Sequence, residues 1–324
     1  MIGLLRARWG PLMLAVSMAG ACGGGGARDA SVDAGVDAGQ DGGVVSQFPP
    51  APDPFVLQGE VSTISSATDD DWMPHVRDDG LELFFSSNRP EFAGDAQLDW
   101  NIWVSTRPSV ASAWSTPILV TALSSAGVDW NPILSDDGLT IYFGRDKRTF
   151  RAERSDSSLQ AWTSVMLVAS LNIDGADTRP SDFHQSAGGS ETLFLFSNRA
   201  GGHGTALADY DIWIATRPDA VAAWTVENGG SALDSAAWDT EATLVPDLLS
   251  MYLQSRREGG IYRLFQATRA STAESFGVTA IALEFVPASS TTEIAQPNLM
   301  PDGKTMYFAR RHQGGSWDID YATR

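Results

Sequence analysis

Five acidic residues recur at matching places along the chain: Asp71, Asp129, Asp177, Asp239 and, displaced by one position, Glu293. Each precedes an apolar run that ends in amide or cationic groups: Asn88 and Arg89, Arg145 and Lys147, Asn198 and Arg199, Arg256 and Arg257, and Arg310 and Arg311. Acids brought together can do three kinds of chemistry. Asp71, Asp129 and Asp177 converging on one point would hold Ca²⁺, a hard cation that takes several oxygen ligands. At suitable separations the same three would serve as base, acid and orienting group in glycoside hydrolysis. Paired with the arginines, the acids would instead tie neighbouring segments together and need no cofactor. Recurrence in every copy favours this last role, because a catalytic site needs one asymmetric constellation. The expected binding face carries Asp71, Asp129, Asp177, Asp239, Glu293, Arg89, Arg199, Arg257 and Arg310, none of them catalytic.

Other chemistry is thinly represented. His75, His184, His203 and His312 show no metal spacing such as H-x-x-x-H. The G-x-S-x-G turn of serine hydrolases is absent. Trp72, Trp100, Trp103, Trp114, Trp130, Trp162, Trp213 and Trp224 mostly occupy recurring positions, which reads as core, with a platform for a sugar ring as the minority reading.

The elements that must position these groups are visible in a repeat. WNIWVSTRPSVASAW from Trp100 returns as YDIWIATRPDAVAAW from Tyr210. Both belong to a longer pattern with five copies, aligned on Pro74, Pro132, Pro180, Ala242 and Pro297. Each copy reads as strands. ELFFSS and TIYFG are aromatic and β-branched, and follow the turns Asp79-Gly80 and Asp137-Gly138. IWVSTR and IWIATR alternate apolar with polar residues, and a further strand opens on an aromatic, as in WSTPILV and FGVTAIAL. No helical period is visible beyond the N-terminal segment. Copies one to four each hold four strands, whereas copy five stops after its third. The missing strand stands at the other end, in FVLQGEVSTISS from Phe55. The fold is therefore expected to be all-β, a five-bladed β-propeller closed by pairing of the N-terminal strand with the last blade. Six blades is the alternative if a degenerate copy is hidden.

The elements P-x-x-S-x-D-G, S-N-R and D-I-W-x-A-T-R resemble the TolB-type WD-repeat-like β-propeller family over almost the whole folded region. Copies one, three and five carry them best. Copy two has TFRAERS in place of the D-I-W element, and copy four has PDLLS where others have a turn glycine. The resemblance implies an interaction module outside the cytoplasm, and family members are often six-bladed.

The N-terminus adds an address. Arg6 and Arg8 precede a short apolar run and the small residues before Cys22, the single cysteine, so residues 1–21 read as a lipoprotein signal and Cys22 as the lipidated residue. Ala19 stands where that motif usually has Leu. Residues 22–53, rich in Gly, Ala and Asp, read as a disordered linker, and 54–324 as the propeller. A formal charge of −18 argues against nucleic acid. The expected protein is a lipid-anchored, non-catalytic binding module of the cell envelope with a protein or glycan partner. A glycoside hydrolase-like enzyme or a Ca²⁺-dependent module is the runner-up. The long loops 90–99 and 200–209 are the expected carriers of specificity.

Overall fold

Side chains alternate across a strand, so a run such as Leu83-Phe84-Phe85, apolar at every position, must be covered on both faces. The architecture answers that need. The computed structural model describes residues 53–91, 99–203, 209–258, 260–281, 292–311 and 315–324. Residues 1–21, Cys22 and the linker through 52 lie outside the described residues. So do loop positions 92–98 and 204–208 and His312.

Strand β1 (Val56–Glu60) comes first. Blade one is β2 (Asp71–Val76), β3 (Glu82–Ser87), β4 (Asn101–Thr106) and β5 (Ile118–Leu119). Blade two is β6 (Asp129–Leu134), β7 (Thr140–Arg145), β8 (Arg148–Glu153) and β9 (Thr163–Leu167). Blade three is β10 (Thr178–Gln185), β11 (Glu191–Ser197), β12 (Asp211–Arg217) and β13 (Thr225–Asn228). Blade four is β14 (Asp239–Leu244), β15 (Ser250–Ser255), β16 (Arg263–Thr268) and β17 (Gly277–Ile281). Blade five is β18 (Glu293–Leu299), β19 (Thr305–Arg311) and β20 (Trp317–Thr323), completed by β1. The only helix among the described residues is a 3-10 turn at Ala169–Leu171.

Strand β1 pairs antiparallel with β20, placing Val56 opposite Thr323 and Glu60 opposite Asp320. Each innermost strand touches the next, and β18 meets β2. The ring is closed with five blades.

The core is divided into layers between blades. Leu83 and Phe85 face blade five, packing with Tyr307 and Ile319, while Phe84 between them faces blade two with Ile141 and Phe143. Similar clusters join blades two and three, three and four, and four and five.

The twin segments have a specific structural cause. The arginine ending strand three of each blade lies over the aromatic that opens the outer strand: Arg107 over Trp114 at 4.1 Å, Arg154 over Trp162 at 4.5 Å and Arg217 over Trp224 at 4.4 Å. Arg269 over Phe276 at 4.2 Å and Arg324 over Phe55 at 4.7 Å continue the series. The last pair joins the two ends of the folded region. Four of these arginines also donate through Nε to the carbonyl of a first-hairpin turn, at Gly80, Gly138, Leu248 and Gly303. That turn requires positive φ, which Gly138 supplies at 69° and, in the copy lacking the glycine, Leu248 adopts at 59°.

Candidate functional site

The residues that enter β2, β6, β10, β14 and β18 and those that directly follow β3, β7, β11, β15 and β19 share one face. Asp70 N, for example, donates to Asn88 Oδ1 at 2.8 Å, and Asp177 N to Asn198 Oδ1 at 2.7 Å. On this face the repeated acids form clasps. Asp71 binds Arg89 at 2.5 Å, Asp129 binds Arg145 at 2.5 Å and Asp239 binds Arg257 at 2.6 Å. The other carboxylate oxygen accepts a connector N–H from Ser66, Ser125 or Ser235. Each arginine donates onward to a connector carbonyl, Ile64, Leu123 or Leu233. All three acids are wholly buried, and burial outweighs the arginine, holding the Asp71 and Asp129 carboxyls above their ordinary value. The clasps fix the crossover from one blade to the next. Asp129→Ala is expected to lower stability by about 2–3 kcal/mol, because it strands the Arg145 cation. Urea unfolding measures the loss.

Blades three and five depart from the pattern. Strand pairing sets Thr178, not Asp177, opposite Ser197, where Asp71 stands opposite Ser87, because the break in register of β10 falls later than in β2. Arg199 accordingly bonds Thr178 Oγ1 and Leu171 O, and burial without a carboxylate pushes it down to about 10. Asp177 is held by Arg179 and by the Tyr210 hydroxyl at 2.9 Å. In blade five Ile294 takes the acid's place, opposite Arg310. Glu293 beside it lies 3.7 Å from Arg311 and 3.9 Å from Arg256, and Arg310 pairs with Asp320 at 2.6 Å. Asp71, Asp129 and Asp177 thus stand on separate blades, each with its own arginine. Among the described residues, the group of carboxylates near enough to share an ion is Asp211, Asp234 and Asp239, with oxygens within 4.8 Å of one another. Their oxygens already accept bonds from His203 N, Ile212 N, Asn228 Nδ2, Ser235 and Arg257. Burial and the neighbouring acids push Asp234 up to about 7.

Two further features lie on this face and on the axis. The first is a collar of rings running through all five blades. Trp317 meets Trp72 at 5.0 Å, Trp72 meets Trp100 at 5.5 Å, and Trp100 meets Trp130 at 6.2 Å. Arg179 lies 3.7 Å over Trp130 and 5.7 Å over Phe196. Phe196 meets Tyr210 at 5.7 Å and Tyr210 meets Trp238 at 5.3 Å. Arg256 spans Trp238 and Tyr262, and Tyr262 returns to Trp317 at 6.4 Å. Most of these side chains are half-buried.

The second feature is on the axis. The inner strands bulge one residue past the collar position, giving Met73, Asn131, Glu241 and Gln296 φ of 57°, 51°, 48° and 58°. Gln296 N donates to Gln254 Oε1, Met73 N to Gln296 Oε1, and Asn131 N to Met73 Sδ. Asn131 Nδ2 then reaches both oxygens of Glu241, at 2.9 and 3.0 Å. Blades two and four are not neighbours, so this contact crosses the axis and closes it at that level. Burial pushes Glu241 up to about 8 against the bonds from Asn131 and the nearby Arg179. Deeper in, side chains of one inner strand cap the next: Asn298 Oδ1 accepts from Val76 N, Thr243 Oγ1 from Leu299 N and Asp182 Oδ2 from Leu244 N. His75 is buried against Asn298 and lowered to about 3 by desolvation.

No protein-family model matches the chain, and no curated protein matches it by sequence. Solved structures do match. An α-L-arabinofuranosidase from Podospora anserina, solved in complex with cellotriose, superposes with TM-score 0.53 at 12% identity, over 85% of this chain and 98% of that one. The catalytic domain of a GH62 α-L-arabinofuranosidase from Coprinopsis cinerea gives 0.55 at 13% identity, over 85% and 98%. TolB from Acinetobacter baumannii gives 0.42 at 12% identity, over 79% of this chain and 55% of that one. At these identities the likeness is one of fold, and the fold is a five-bladed β-propeller.

Proposed function

We propose that the chain is a non-catalytic binding module of the bacterial cell envelope, anchored through Cys22, that meets its partner with the collar face. The state of the acids carries this reading. Asp71, Asp129, Asp177 and Asp239 are each clasped by an arginine, so the repeated carboxylates are engaged in holding the ring. The collar supplies what a binding face needs: a continuous belt of half-buried Trp, Tyr and Arg, the residue types that dominate binding energy.

A photo-crosslinking side chain at Trp100 or Trp238 tests the reading in cells making the full chain. Adducts of defined mass are expected from both positions. None is expected from Val221, an exposed residue between β12 and β13 at the opposite face. Equal labelling from all three positions would overturn the assignment of the face.

Glu241 favours a second reading, a glycoside hydrolase. A buried carboxyl held protonated near neutral pH is the form a general acid takes, and the arabinofuranosidases share the fold. Hydrolysis needs a second carboxylate as base or nucleophile, and the side chains acting on Glu241 are Asn131 and Arg179. Assays with aryl arabinofuranosides and xylosides are expected to show no release above that of a Glu241→Gln control. Release that vanishes in the Gln variant would replace the binding reading.

A further inference from the structure

Four buried polar atoms around the axis have no hydrogen-bonding partner: Trp72 Nε1, Trp130 Nε1, Thr240 Oγ1 and Asn131 Oδ1. They are not scattered. Strand pairing puts Trp72, Trp130 and Thr240 at one equivalent position of the inner strand, opposite Ser86, Gly144 and Gln254. Asn131 is the next residue in its strand. Buried polar groups are nearly always satisfied by protein or by something bound, so partnerless atoms gathered in two successive layers of one mouth point to a ligand.

The chemistry of the set defines that ligand. It offers two N–H donors, one carbonyl acceptor and one hydroxyl that does both, with the Glu241 carboxyl beside them. Among the described residues the two arginines of the collar already face carboxylates, Arg256 standing 3.9 Å from Glu293. Arg179 is chelated by Asp177 through Nε at 2.8 Å and Nη2 at 2.5 Å. Glu241, pushed up to about 8, is neutral at pH 7. The half-buried Trp72, Trp130 and Tyr262 add apolar ring surface, with Arg179 over one side of Trp130 and Arg256 over one side of Tyr262. Groups that donate and accept at once, on an uncharged frame with C–H faces, are the hydroxyls of a sugar ring.

We propose that the axial mouth binds a neutral sugar residue, with Trp130 and Thr240 as specificity-determining contacts and Asn131 as the acceptor. This inference rests on the collar being the binding face. The test is a titration of the full chain with neutral pentoses, hexoses and their short oligomers, read by tryptophan fluorescence and melting temperature. At least one sugar is expected to bind with Kd of about 1 mM or tighter. Thr240→Val removes one polar atom and keeps the shape, and Trp130→Phe removes the indole N–H while keeping an aromatic ring, so each should weaken binding about five- to tenfold. Trp162→Phe should leave affinity unchanged. Its indole N–H is equally partnerless, but the ring lies under Arg154 beside the opposite face. No binding at about 10 mM, tenfold above that limit, would overturn the inference and leave ordered water as the occupant. So would equal binding by all variants. A protein adduct from Trp100 together with a blank sugar panel would sink the sugar and spare the binding module. Loss of both would sink the module.

Discussion

Phe55→Ala is expected to cost about 3–4 kcal/mol, the usual range for emptying a buried aromatic site, and to loosen the seal of the ring before anything else. Phe55 is 3% exposed. Its ring meets Tyr252 edge-on at 5.7 Å and carries Arg324 at 4.7 Å. It packs in the cluster of Leu264, Ile294, Met306 and Phe308 that joins blades four and five. The same truncation at Trp224 removes comparable area at the junction of blades two and three, but the strand it opens is covalently continuous with its blade. Phe55 is the anchor of a strand whose only covalent tie to its blade runs around the whole ring. The melting temperature should fall by several degrees, at about 2–4 °C per kcal/mol for a domain of this size. Hydrogen exchange in β20 should rise ahead of that in β12, because β1 is the strand that covers β20. A loss below about 1 kcal/mol, or uniform exchange across blades, would mean that β1 is a decoration and not the clasp.

The closure was readable because it rests on local signals. Copy five lacks an outer strand, FVLQGE supplies one, and Arg324 and Phe55 repeat the pairing that Arg107 and Trp114 make within one segment. The clasps were half readable. Acid and arginine recur visibly, but the break in register of β10 falls after Pro180, so Thr178 and not Asp177 takes the repeat position. No turn residue announces that shift. Glu241 and Asn131 were missed because they meet across the axis from non-adjacent blades, a contact that no spacing encodes. A signal existed all the same. Where flanking residues repeat, the bulge position reads Met73, Asn131, Glu241 and Gln296. A structural device repeats, so variation at a strained and fixed backbone position marks where copies were free to differ. The collar was missed for a related reason. Trp100, Tyr210, Tyr262 and Trp317 hold one repeat position at the entry to the third strand, whereas Trp72 and Trp130 come from the inner strand and Trp238 from the residue before it, and only the ring brings them into one belt.

Glu241→Gln is the second substitution expected to have a large effect, and its sign follows from the axis. The carboxyl has an ordinary value of 4.5 and is raised to about 8 in the folded chain. Across that window the folded protein keeps a proton that the unfolded chain releases. Its contribution to stability is therefore complete below about 4.5 and is lost as pH rises toward 8. Each unit of displacement corresponds to about 1.4 kcal/mol, so the loss is on the order of a few kcal/mol. The groups facing Glu241 do not rescue the ionised form. Asn131 donates one amide, and Arg179 is already chelated by Asp177. Glutamine keeps an oxygen for Asn131 Nδ2 and has nothing to ionise. The variant should match the wild type near pH 4.5 and exceed it by a few kcal/mol near pH 8, read from urea midpoints across the range. Asp182 and Asp234, both raised to about 7, give both proteins a falling slope of the same sign. The difference between the two curves isolates Glu241. Parallel curves would mean that the axial carboxyl is solvated and charged, which removes both the neutral mouth required for a sugar and the protonated acid required for hydrolysis. The expected gap between the curves would show a neutral carboxyl beside Asn131, the state that the proposed sugar site requires.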